Sequence, residues 1–430
     1  MRNRAKQKNT IQNLMIFMLC ISTLFLIYKA VFGANLNVII GNALTDEDAS
    51  NISFVSNTGG SLAVLPSYIL VTSADGYHYA EKKGSLREEL FDSFAAILGE
   101  ALGSAKEPKR ISEDAWESLL QGEGVFIDYI FPQPIVFLSS SIGTECPDFL
   151  SDVIARRIFL SVSGSNLYIC FIDETTDEFF RCETASNSAS LSSAISASPE
   201  GEAKFAFEYG DEYPLLDPLF IFTNSDVELP LVTVSNLIGS IQVSDTLLSY
   251  FGINVNTSLR SDRDGSEVYV EGDRTLRFDS DGRILFSTGS AGGIPLESDS
   301  DKASINDAIL NCANIIDSVF SYYGIDASLG ITDIDADLSP DSCSISFGQF
   351  IDGVPLNLSG ENKAAVFKIS GGSLVRIEIF LHTYNVSPLD KTSPLPEKQA
   401  VSIISGKGEP VLMYSDDGSA NTTVKWILLP

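Results

Sequence analysis

Three aspartates, Asp273, Asp279 and Asp281, gather around two glycines in the run VYVEGDRTLRFDSDGRILFST. Carboxylates at that spacing can ligate calcium, act as a catalytic acid pair, or shape a β-hairpin turn. A calcium loop takes ligands at positions one, three and five, glycine at six and a bidentate Glu at twelve. Counted from Asp279, position six is Ile284 and position twelve is Ser290; counted from Asp333, through Asp335 and Asp337, they are Leu338 and Ser344. Neither frame fits. Asp-Gly between two alternating apolar runs is instead what a tight hairpin uses, because both residues tolerate positive φ. The expected role of Asp281 and Gly282 is therefore a hairpin turn.

The remaining reactive groups are sparse. There are two histidines and six cysteines. His78 in GYHYAEKK lies beside a strand pattern and His382 closes IEIFLH, surface or strand-end positions with no nucleophile motif nearby to make either a general base. The chain has no Gly-x-Ser-x-Gly, no His-Glu-x-x-His, no phosphate-cradling loop and no Cys-x-x-Cys. Its 57 Asp and Glu residues leave a glycosidase-like acid pair formally open, yet most sit in turns or at alternating solvated positions. The expectation is a non-enzyme with no catalytic residue, cofactor or metal. Cys170 and Cys182 occupy strand-like runs on either side of ETTDE. A hairpin centred on Thr176 sets them opposite each other, as a disulfide or as two buried thiols.

Two features place these residues relative to a membrane. Arg2, Arg4, Lys6, Lys8 and Lys29 are the only charges in the first 33 residues, while the whole chain carries a net charge of −29. So acidic a body repels phosphate backbones, which argues against nucleic acid as a partner. Between the basic start and that body lies LMIFMLCISTLFLIYKAVF, long enough for the roughly 17–25 residues of a membrane-spanning helix. The positive-inside rule then orients it as a single-pass anchor with a cytoplasmic N-terminus and an extracytoplasmic body. A signal peptide cleaved before Ala34 is the competing reading. Within the run, Leu14, Phe17, Met18, Ile21, Phe25 and Tyr28 fall at helical spacing on one face, either a partner-contact surface or an ordinary lipid-facing stripe.

Beyond the anchor the pattern is α+β. SLREELFDSFAAILGEALG has the apolar spacing of an amphipathic helix, followed by a short helix around Trp116 and by VFIDYIFPQPIVFLS, whose prolines suit a sheet edge or a broken strand. ARRIFLSVSG, NLYICFIDE and EFFRCETA read as three strands. A pattern then occurs twice: a helix ending LLSYFGI or VFSYYGI, and a set of strands able to form an antiparallel meander under that helix. The implied units are 1–33 (basic tip and anchor), 34–235 (N-terminal α+β domain), 236–297 (middle helix-meander domain) and 298–430 (C-terminal helix-meander domain).

The run YFGINVNTSLRSDRDGSEVYVEGDRTLRFDSDGRILFST resembles the middle of YycH-type proteins of Gram-positive bacteria. The basic N-terminus, the anchor and the Trp116 segment before GVFIDY extend that resemblance. FGQFIDGVPLNLSGENKAAVFKISGGSLVRIEIFLHTYN is also similar to the related YycI family. The resemblance implies an accessory regulator that modulates the WalK (YycG) sensor histidine kinase of a two-component system controlling cell-wall metabolism. It implies action by contact with the kinase and with a YycI-like membrane protein. The alternative is an extracytoplasmic module that binds a wall fragment, lipid or peptide without coupling to a kinase.

Overall fold

The structure, a computed structural model, describes residue 64 and residues 66–82, 84–223, 227–236, 243–263, 265–289, 293–298, 303–335, 342–358 and 363–429. All of them belong to one compact unit, Thr58–Pro430. The anchor run and the boundary at 33/34 lie outside the described residues. Among those described, no helix is long and apolar enough to cross a membrane.

The N-terminal part is built on a seven-stranded sheet. Its strands are β1 (Tyr68–Thr72), β2 (His78–Glu81), β3 (Lys109–Ile111), β4 (Gly124–Pro134), β5 (Ile154–Ser163), β6 (Asn166–Asp173) and β7 (Glu178–Asn187), in the order β2-β1-β4-β5-β6-β7-β3. Helices α1 (Gly84–Gly103), α2 (Glu113–Leu120), α3 (Ile135–Ser141) and α4 (Ala189–Ala197) accompany it. Phe91, Phe94 and Leu98 of α1 are buried, as the helical spacing requires. The proline-bearing run is not an edge: β4 lies between β1 and β5. The prolines are accommodated by a break inside the strand, where the pairing with β5 jumps from Asp128 to Gln133.

After the short pair β8 (Lys204–Phe205) and β9 (Ile221–Phe222), β10 (Leu229–Asn236) runs to α5 (Asp245–Tyr250). The first meander follows as β11 (Leu259–Arg263), β12 (Ser266–Glu271), β13 (Arg274–Phe278) and β14 (Arg283–Thr288), then β15 (Ile294–Pro295) and α6 (Ile305–Tyr323). The second is β16 (Ser328–Ile334), β17 (Ser342–Ile351), β18 (Val354–Leu358), β19 (Ala365–Ser370) and β20 (Ser373–Phe380), followed by β21 (His382–Thr392), α7 (Glu397–Ile403), β22 (Glu409–Asp416) and β23 (Thr423–Leu429). The repeated helix ending has one cause in both copies. Gly252 and Gly324 adopt φ of 64° and 66°. The next amides, Ile253 and Ile325, donate to Leu248 and Phe320 at 3.0 and 2.9 Å, and both isoleucines are buried. That is a Schellman cap with its apolar contact, which needs glycine at the left-handed position.

The two meanders do not form separate bodies. β14 pairs antiparallel with β20, joining them into one twelve-stranded sheet. α5 and α6 cover the same core: Leu248, Phe251, Ile309, Ile316 and Phe320 pack with Phe286, Phe367 and Ile377. The expected boundary at 297/298 is thus corrected, because hydrogen bonds and a shared apolar layer cross it. The boundary at 235/236 is corrected likewise: β10 pairs with β21 over Leu229–Asn236, and Val411 and Met413 of β22 pack into the core of the N-terminal sheet.

Candidate functional site

The break in β4 is where the N-terminal sheet meets the rest of the chain. Ile130 sits there at φ 64°, a conformation that costs a β-branched residue energy. Asp128 holds it: Oδ1 accepts the Ile130 amide at 2.7 Å and Arg156 Nε at 2.8 Å. Oδ2 accepts Arg156 Nη2 at 3.0 Å and Arg157 Nε at 3.1 Å. Arg157 Nη2 also reaches Glu409 Oε2 at 2.7 Å and Asp217 Oδ2 at 3.0 Å, and Arg156 Nη2 donates to the same Glu409 oxygen. Charges from β4, β5, β22 and the segment before β9 thus meet in the interior.

The two carboxyls divide the stabilisation unequally. Burial would raise Asp128, but Arg156, Arg157 and the Ile130 amide outweigh it and hold the carboxyl below its ordinary value. Burial raises Glu409, and the two guanidiniums offset this only in part while Asp128 and Asp217 add to it. Asp128 accepts three arginine bonds and an amide bond, whereas Glu409 accepts arginine bonds through one oxygen. Carboxylates sharing the same cations split in this manner.

A cavity of about 160 Å³ opens beside the break. Tyr129 and Gln133 line it from β4, Gly330 and Ile331 from β16, and Phe350 from β17. Gln133 Nε2 donates to the Ile331 carbonyl at 3.1 Å, tying the break to the second meander. Arg87 and Glu88 of α1 and the turn Asp352-Gly353 complete the wall. Arg87 is 1% exposed. Among the described residues its Nε and Nη1 have no hydrogen-bond partner. Its Nη2 lies 3.5 Å from Glu88 Oε1, too far for a good hydrogen bond. Burial pushes the guanidinium below its ordinary value, with Glu88 and Asp352 acting the other way.

The turn explains how the guanidinium fits. Ile351 and Val354 pair across it, and Asp352 and Gly353 have φ of 52° and 76°. This is the double positive φ of a type I′ hairpin, for which Asp-Gly is suited. A Cβ on Gly353 would stand 1.6 Å from Arg87 Nη1, so the guanidinium rests where only glycine leaves room.

Of the residues singled out in the sequence, Asp281 and Gly282 form the expected hairpin. Phe278 pairs with Ile284, Gly282 has φ 89°, and its amide donates to the Asp279 carbonyl at 3.1 Å. Asp279 accepts Ser266 Oγ at 2.7 Å and Arg277 Nε, so its carboxylate is employed within the meander. Of the two readings of the cysteine pair the structure has the buried thiols and not the disulfide: Cys170 and Cys182 are free and buried. The hairpin pairs Ile169 with Cys182 and Cys170 with Arg181, one residue off the expected register, so the two cysteines point to opposite faces of the sheet. Burial pushes both thiols up to about 12. His78 is buried rather than superficial, bonded to Thr72 Oγ1 at 2.9 Å. Leu14, Phe17, Met18, Ile21, Phe25 and Tyr28 lie outside the described residues.

Sequence reasoning did not single out Arg87, Asp128, Arg156, Arg157 or Glu409, although a signal existed. Asp128 interrupts VFIDYIF, Arg156 and Arg157 interrupt ARRIFL, and Arg87 falls at helical spacing with Phe91, Phe94 and Leu98. A charge on an apolar face is buried and must find a partner.

The architecture defines a class: an α+β protein whose seven-stranded sheet is locked by buried charges to β22 of a twelve-stranded sheet that also contains two helix-covered meanders. Within that class, comparison with solved structures finds the crystal structure of YycH from Bacillus subtilis. The match has a TM-score of 0.54 and 12% identity, and covers 90% of this chain and 97% of that one. The chain has the YycH fold, as the sequence resemblance implied. No protein-family model and no curated protein matches it.

Proposed function

We propose that this protein is a membrane-anchored accessory regulator, acting outside the cytoplasm by contact with a WalK (YycG)-type sensor histidine kinase that controls cell-wall metabolism. The carrying observation is the extent of the fold likeness, which takes in 97% of the YycH chain rather than one shared motif. The basic start and the apolar run Leu14–Phe32 support an anchor that can pack against kinase and YycI-like helices. A non-enzymatic role is supported by the buried charges at the β4 break, which bond one another instead of standing free to transfer protons.

The test replaces Leu14–Tyr28 with polyleucine in the full-length protein. Insertion and orientation should persist, while co-purification with the kinase and its regulation are lost. Regulation undiminished by polyleucine would overturn contact through the membrane helix. The cavity beside Arg87 favours a second, compatible reading in which the protein also binds a ligand.

A further inference from the structure

We propose that the solvent face of the sheet region formed by β11–β14, β20 and β19 is a docking surface for an acidic segment of a partner protein. Strand pairing sets Val268, Arg277, Leu285 and Glu378 side by side on this face, and one step along it sets Arg376 opposite Lys368. The alternate residues Leu276, Phe286 and Ile377 point the other way, into the core under α5 and α6. Arg277 and Arg376 are 48% and 50% exposed, so the face is open to solvent. Its charge is the reverse of the chain's. Asp and Glu outnumber Lys and Arg by 57 to 28 overall, yet here Arg277, Arg283, Arg376 and Lys368 stand with Asp279 and Glu378, and only Asp281 lies in the turn beyond. Glu378 is shared between Arg283 and Arg376, and Asp279 is taken by Arg277. Arg376 and Lys368 face each other directly, an arrangement in which like charges repel.

The occupant follows from charge and from the relief of the surface. A carboxylate arriving between Arg376 and Lys368 replaces their repulsion with charge-assisted bonds. The net charge of −29 does not oppose this contact, because fields are screened within about 8 Å at physiological salt. Between the long Arg and Lys side chains lie the shorter Val268, Val270 and Leu285, and Leu259, opposite Val270 on the edge strand, is 76% exposed. Such hollows take protein side chains, whereas a plane of lipid headgroups stays at the height of the charges. A second copy offers the same basic face, so a symmetric dimer through it would set Arg against Arg. Across its six strands the patch spans about 24 Å, room for a helix of about 16 residues laid over it. This deepens the reading of the protein as one that acts by contact, on which it rests, and puts one contact on the folded body.

A genetically encoded benzophenone side chain at Ser287, which pairs with Arg376, tests it in cells carrying the full-length protein. The same side chain at the exposed Ser93 of α1 is the control. Irradiation should give a discrete protein adduct at Ser287 and not at Ser93, and mass spectrometry should place the linked segment in a stretch rich in Asp and Glu. Arg376→Gln with Lys368→Gln should reduce the adduct by about tenfold or more. Because it removes a like-charge pair, the double variant should not lower Tm. Arg376→Lys, which keeps the charge, should retain the adduct. Should the double variant fold poorly, Lys368→Gln alone decides in its place. The inference is overturned by no protein adduct at Ser287, by an adduct with a second copy of this chain, or by linkage to lipid alone. A linked segment without an excess of acidic residues, or an adduct undiminished by removal of the charges, overturns it equally. An acidic partner that is neither a sensor kinase nor a YycI-like protein would uphold the docking surface and overturn the proposed function. A kinase that co-purifies with a protein giving no adduct at Ser287 would do the reverse.

Discussion

Asp128→Asn tests whether the buried charges hold the β4 break. Asparagine keeps the shape and can still accept the Ile130 amide, but it turns the acceptor facing Arg156 and Arg157 into a neutral group. Three charge-assisted bonds are lost or weakened, at 2.8, 3.0 and 3.1 Å in the native structure. Two buried guanidiniums then share Glu409 and the more exposed Asp217. Removing one partner of a buried pair costs about 3–5 kcal/mol. Relief of Glu409, whose carboxyl Asp128 helps to raise, places the expectation toward the lower end. With an unfolding entropy of about 2.1 cal/mol/K per residue, the unit Thr58–Pro430 loses about 4–6 °C in Tm.

The assay is thermal unfolding followed by circular dichroism, with Arg110→Gln as control. The Arg110–Glu178 pair is solvent-facing, and its loss should cost under about 1 kcal/mol. The pH dependence gives a second check. Asp128 has a depressed folded pKa, so its contribution is present above the unfolded value near 3.9 and is lost as pH falls through the folded value. Glu409, raised in the fold, acts oppositely: its contribution is full at low pH and fades as pH rises through its folded value. The share of the gap between native protein and Asp128→Asn that Asp128 itself carries should therefore be present above about pH 5 and close below about pH 4, while Glu409, less raised in the variant, narrows the gap as pH rises through its folded value in the native protein. A variant melting within about 1 °C of the native protein at pH 7 would refute the reasoning.

Gly282→Val should destabilise the protein by about 1 kcal/mol or more in urea titrations, because φ is 89° and a Cβ there meets the Leu381 carbonyl at 3.2 Å; an unchanged midpoint would argue against this hairpin. Gly353→Ala should cost about 2–4 kcal/mol and Gly371→Ala about 1, since both have positive φ but only the former strikes Arg87. The double variant Arg87→Met/Gly353→Ala should recover part of that difference, and equal losses at the two glycines would contradict the packing. Adding a thiol reductant should leave Tm unchanged, because Cys170 and Cys182 lie on opposite faces of their hairpin; a fall of several degrees would show that they are bridged.

The parts of the fold that could be read from sequence are those fixed by residues close together in the chain. The ending Ser-Tyr-aromatic-Gly-Ile marks two helices because glycine takes the left-handed position and isoleucine covers the last turn, all within six residues. Asp281-Gly282 was legible for the same reason. The β14–β20 pairing was not, since Arg283 and Phe380 lie far apart in the chain and no local turn signal links their strands. The cysteine register failed by one residue, which periodicity cannot resolve when both faces of a strand are apolar, as in the run Ile169–Ile172.

The candidate site was obscured by a different cause. Its charges lie far apart in sequence, and each alone looks like an interruption in an apolar pattern. Buried ion pairs contribute little stability over apolar residues of the same size. Their placement at a break in a central strand therefore argues for a role in fixing geometry. Asp128 holds Ile130 at positive φ, and the same break presents Tyr129 and Gln133 to the cavity beside Arg87. Glu409 ties that break to β22, and Gln133 ties it to β16. One strained turn of backbone, paired on both sides by long-range contacts, thus sets the walls of the cavity and the junction between the two sheets together.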